Sequence, residues 1–79
     1  MDTEGNLRSE IEKWSGKIVK EMETVKAKEK RNENFITNIH AYIKDSKYFL
    51  DRGDLIRSFE AIIWAWSWLE ILKELKILS

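Results

Sequence analysis

Leu7, Ile11, Trp14, Ile18, Met22 and Val25 follow one another at spacings of 4, 3, 4, 4 and 3. At 100° per residue these six side chains fall within a stripe about 80° wide, the narrow seam of an amphipathic helix with one buried edge. The pattern predicts a first helix from about residue 6 to residue 31. Ser9 and Glu12 are spaced for a capping box, and Thr3 or Asn6 are alternative caps. Lys26, Lys28, Lys30 and Arg31 cluster toward its expected end, where cations complement the negative pole of the helix dipole. Between Lys26 and Asn34 the apolar stripe lapses, and Asn32 and Asn34 are both suited to cap a new helix. A turn is therefore placed near residues 31–34. No glycine or proline enforces it, so one bent helix through this region is the alternative.

The second segment, from about residue 35 to residue 52, gathers Phe35, Ile36, Ile39, Tyr42, Ile43, Phe49 and Leu50 on one face, with Ser46 in the middle of it. A small residue there lets a neighbouring helix come close, and its hydroxyl can back-bond to the preceding turn. The opposite face carries His40, Lys44, Lys47 and Asp51. Then comes Asp51-Arg52-Gly53-Asp54. Gly53 suits the left-handed residue that ends a helix, and Asp54 is a strong N-cap for the next. With so few linking residues the two helices must fold back antiparallel, as an αα-hairpin turning at Gly53 and Asp54.

The third helix, about residues 54–76, carries two apolar stripes. One is Leu55, Phe59, Ile62, Trp66 and Leu69; the other is Ala61, Trp64, Trp68, Ile71 and Leu75. On a helical wheel the two together span about 240°, leaving only the sector of Glu60, Ser67, Glu70 and Glu74 consistently polar. The expected architecture is all-α, a three-helix up-and-down bundle forming a single domain over residues 1–79. A helix in such a bundle packs into the groove between two others, which covers well under half of its circumference. An apolar surface of 240° exceeds that. Trp64, Trp68, Ile71 and Leu75 are accordingly expected to form a contact surface, most simply in a two-fold homodimer. The competing expectation is that the third helix sits centrally, and that the long arm of the first helix or Ile77 and Leu78 cover this ridge within one chain. Insertion of the tryptophans into a membrane surface is disfavoured, because the flanking polar sector is acidic.

Composition narrows the functional classes. The chain has 14 basic and 14 acidic residues, no cysteine and no proline. The charges also balance locally, with eight of each sign in residues 1–34 and six of each in residues 35–79. No polycationic half exists to attract nucleic acid or an anionic membrane. Lys26, Lys28, Lys30 and Arg31 are the candidate basic patch for an alternative, nucleic-acid-associated role, diluted by Glu29 and Glu33. The polar, acidic N-terminus does not read as a signal peptide, and the longest apolar run, Ala61 to Trp66, falls far short of the roughly 20 residues that span a bilayer. A cytoplasmic protein is the expectation.

The residues for chemistry are missing. His40 is the single histidine, so neither a thiolate nor a multi-histidine metal site can be assembled. There is no glycine-rich phosphate loop and no Gly-x-Ser-x-Gly elbow. Asp45, at the edge of the second helix's apolar face, has no paired carboxylate beside it for acid–base work and is expected to meet a cation from another helix. No catalytic residue, cofactor, metal or small-molecule substrate is expected.

The run Tyr42-Ile43-Lys44-Asp45-Ser46-Lys47-Tyr48-Phe49-Leu50-Asp51-Arg52-Gly53-Asp54, followed by Ser58-Phe59-Glu60-Ala61 and Trp66-Ser67-Trp68-Leu69-Glu70, resembles an archaeal family known as domain of unknown function 357. The resemblance covers about residues 41–78. It implies a compact three-helix bundle and no particular chemistry. The expected function is a small non-enzymatic interaction or assembly module whose partner is a second copy of itself or another protein.

Overall fold

The computed structural model describes residues 2–79. It comprises three helices, α1 (Thr3–Met22), α2 (Glu33–Asp51) and α3 (Leu55–Glu74), with one 3₁₀ turn at Lys30–Asn32 ahead of α2. α3 packs along α2 and against α1, while α1 and α2 touch over only a short stretch. The third helix is thus the middle element, and its two neighbours lie on adjacent sectors of its surface. The seam read from α1 is the buried one. Ile11, Ile18 and Met22 are buried, and Ile18, Met22 and Val25 join Ile39, Ile62, Leu69, Leu72 and Leu78 in the core.

Two local expectations are corrected. α1 is capped by Asp2, whose side chain accepts from the Glu4 amide at 3.1 Å, and not by Thr3, Asn6 or the Ser9–Glu12 pair. It also ends at Met22 rather than near Arg31. The chain unwinds through Thr24 and Val25, β-branched residues that disfavour helix, and then runs extended. The tail after α3 is what holds it there. Lys26 donates its amide to the Ser79 carbonyl and accepts from the Ser79 amide, both at 2.9 Å, around an isolated antiparallel bridge between Ala27 and Leu78. This pairing buries Val25 and Leu78 together at the end of the bundle. Lys26, Lys28, Lys30 and Arg31 therefore sit in the connection and its 3₁₀ turn, not on the last turn of a helix.

The hairpin forms as its residues dictate. Gly53 has φ +77° and Asp54 follows it, with the Gly53 amide donating to Leu50 and the Asp54 amide to Phe49. Those two bonds make a Schellman motif. The Asp54 carboxylate also accepts from the Arg57 amide at 3.2 Å, so one residue closes α2 and opens α3. Just beyond the turn, Ser46 and Ser58 are buried face to face. The Ser46 hydroxyl donates to the Ser58 carbonyl at 2.8 Å, and the Ser58 hydroxyl donates to the Ser46 carbonyl at 2.6 Å. Ser46 is the small contact residue expected, but its hydroxyl bonds across to α3 instead of back along its own helix. α3 ends in a second Schellman motif, with Lys76 holding the left-handed position at φ +60°.

Candidate interaction surface

The four tryptophans divide into two pairs with different surroundings. Trp14 and Trp66 join α1 to α3. Their rings meet edge to face at 5.9 Å, and the Trp66 indole N–H donates to the Trp14 carbonyl at 3.1 Å. The Trp14 indole N–H donates to Glu10, and Lys17 lies over its ring at 4.8 Å. Both indole N–H groups of this pair are bonded inside the chain, and both rings are partly buried. Trp64 and Trp68 face outward, and among the described residues neither indole N–H has a protein acceptor.

The sequence ridge is exposed. Trp64, Trp68, Ile71 and Leu75 keep 55%, 37%, 50% and 62% of their surface accessible. They lie along the side of α3 that neither neighbour covers, because α1 contacts the Trp66 side of the helix and α2 the Ser58–Ala65–Leu72 side. Ala61, the first member of that stripe, is buried against α2. Ile77 and Leu78 do not reach the ridge; the tail turns to the end of the bundle and pairs with residues 26–28. The ridge is bordered by exposed Glu60, Glu70 and Glu74 on one flank. On the other it opens into a groove of about 400 Å³ between α2 and α3, lined by Phe35, Asn38, Tyr42, Asp45, Trp68 and Leu72 among others.

That groove was not visible as a site in the sequence. The signal for it is the spacing of Phe35, Tyr42 and Asp45, which puts all three along one edge of α2, but only the packing distance of α3 tells that Trp68 stands opposite. Asp45 makes no ion pair among the described residues, contrary to the expectation that a cation from another helix meets it. The basic residues are exposed and dispersed along the connection, and the Arg31 guanidinium is already matched by Glu29 at 2.6 Å. His40 is exposed on the far side of α2, and no group of three or more histidine, aspartate or glutamate side chains gathers to hold a metal among the described residues. Among the described residues no helix is long and apolar enough to cross a membrane.

Comparison with known proteins gives the chain relatives but no activity. The family model described as "Protein of unknown function (DUF357)" matches residues 4–78, so the likeness extends through α1 as well as the hairpin. The crystal structure of protein AF1782 from Archaeoglobus fulgidus, assigned to the same family, superimposes with a TM-score of 0.90 and is 44% identical, over 99% of this chain and 97% of that one. No curated protein matches.

Proposed function

This chain belongs to the DUF357 family, whose description carries no activity, and we propose from its own surface that it is a small non-enzymatic assembly module that pairs with a second copy of itself through the outer face of α3. The observation that carries the proposal is the exposure of Trp64, Trp68, Ile71 and Leu75 in one line on the central helix. Together they leave roughly 400 Å² of mainly apolar surface, in the range of the largest single patch on a monomer. A scattered set of exposed apolar residues needs no explanation; a contiguous ridge containing two tryptophans does. Two such ridges face to face, with the rims contributed by Ile63 and Tyr42, approach about 1,000 Å², the lower edge of specific interfaces. An interface of that size fits reversible association at micromolar concentrations. The acidic flank and the apolar centre both disfavour phosphate as the partner of this face.

The test is solution mass by light scattering across the micromolar range, on the wild type and on Trp64→Lys/Trp68→Lys, with far-UV circular dichroism on both. The expected result is a wild type at twice the 9.4 kDa chain mass and a folded variant at the single-chain mass. Raising the salt to about 0.5 M should leave the apolar pairing intact, whereas contacts to phosphate would weaken steeply. A folded wild type that stays at single-chain mass throughout would refute self-association.

A further inference from the structure

We infer that the groove between α2 and α3 binds a small organic ammonium ion, held by the rings of Phe35, Tyr42 and Trp68 and by the Asp45 carboxylate. Three aromatic side chains and one carboxylate line a single cleft of about 400 Å³, a volume within the range of small-ligand sites. Aromatic faces attract cations through their quadrupoles, and a quaternary or alkylated ammonium loses less hydration than a bare metal ion on entering such a cleft. The carboxylate supplies the net charge that rings lack.

Three rings outside the groove carry the chain's own cations, with Lys13 and Lys17 over Trp14, Arg52 over Tyr48 at 3.9 Å, and Arg57 near Phe49, whereas among the described residues Phe59, Trp64 and Trp66 carry none. Among the described residues no cation lies over Phe35, Tyr42 or Trp68. Asp51 pairs with Lys47, Asp54 with Arg57 and Glu21 with Lys73, while exposed Asp45, like Glu60, Glu70 and Glu74, has no ion-pair partner among the described residues. Lys44 and Lys47 flank it in sequence but project from other sectors of α2. Three aromatic side chains and a carboxylate without an ion pair thus line one groove between α2 and α3.

The groove shares Trp68 and Tyr42 with the face proposed for self-association, and the experiment separates the two. Uniformly ¹⁵N-labelled protein is titrated with tetramethylammonium chloride at constant ionic strength, and in parallel with tert-butanol, a neutral molecule of the same shape. The indole N–H of Trp68 is the local probe. The expected result is a saturable shift with tetramethylammonium in the millimolar range, at least tenfold stronger than with tert-butanol, and a loss of roughly tenfold in Asp45→Asn. Tyr42→Leu should weaken it as well. The same titration on Trp64→Lys, which lies on the ridge but outside the groove, should give at least the wild-type affinity, because loss of pairing leaves Trp68 and Tyr42 uncovered. Equal affinity for the two ligands, an unchanged Asp45→Asn, absence of a saturable shift, or binding lost in Trp64→Lys would each overturn the assignment.

Discussion

The reciprocal serine contact between α2 and α3 sets how closely those helices approach, and it makes a quantitative prediction. Ser58→Ala deletes one cross-helix bond, from the Ser58 hydroxyl to the Ser46 carbonyl at 2.6 Å. That carbonyl lies mid-helix and keeps its own place in the α2 ladder, so no buried acceptor is orphaned. The cost is therefore that of an ordinary bond, about 1 kcal/mol, and not the larger penalty of an unsatisfied group. In a domain of this size about 1 kcal/mol lowers the melting midpoint by roughly 4–8 °C. Ser46→Ala should cost about the same by symmetry. The double variant should show a coupling of a few tenths of a kcal/mol or more, because the two hydroxyls are also 3.0 Å apart. Ser58→Val is the decisive comparison. Ser58 is fully buried, so valine's two γ-methyls in place of one hydroxyl must force the helices apart, and overpacking of about 1–3 kcal/mol adds to the lost bond. Urea unfolding followed by circular dichroism measures each value, in a Trp64→Lys background so that association does not contribute to the midpoint. A Ser58→Val variant as stable as Ser58→Ala would refute the claim that serine size fixes the helix spacing.

The two left-handed helix ends predict opposite signs. Lys76→Gly relieves a side chain held at φ +60° and should raise stability by about 1 kcal/mol, while Gly53→Ala puts a Cβ at φ +77° and should lower it by about 1–2 kcal/mol, both read from thermal melts. Gly16 lies exposed in the interior of α1, and a Cβ there would meet nothing within 4 Å. Gly16→Ala should therefore stabilise by about 0.5–1 kcal/mol, and a lower melting midpoint would show that this open position is in contact with something the single chain lacks.

Features written in local patterns were legible and those made by distant pairing were not. The α1 seam, the α2 face and the hairpin at Gly53 and Asp54 each follow from spacing, or from one residue's backbone preference, and each is present. The C-terminal end of α1 is different. Thr24 and Val25 weaken the helix, but Lys26, Ala27 and Lys28 would continue one, and what holds them extended is a backbone pairing with residues 77–79, some fifty positions away along the chain. The same distinction governs the sites. Trp64, Trp68, Ile71 and Leu75 could be named because helical periodicity places them on one line. Ser58 looked like any small residue near a helix start until Ser46 was seen opposite it. The groove depends on Trp68 facing Tyr42 and Asp45 across an interhelical distance that no spacing rule supplies.

The exposure of the ridge is a consequence of how this bundle is built. If α1 and α2 met along their length, α3 would lie in the cleft they form and each helix would present a single buried stripe. Here α1 and α2 touch little, and each takes its own sector of α3. The Trp14–Trp66 pair fixes one sector, with a bulky edge-to-face contact that holds α1 on the Trp66 side. The serine pair fixes the other by drawing α2 in close. The arc beyond the serine contact is then left without a covering helix, and the sequence fills it with Trp64, Trp68, Ile71 and Leu75. Trp68 also serves α2 through the groove it lines with Phe35 and Tyr42, but Trp64, Ile71 and Leu75 keep half or more of their surface accessible in one line, more than packing within one chain asks for. The proposed pairing through this arc would account for them, and it would give α3 the third neighbour that its apolar circumference calls for.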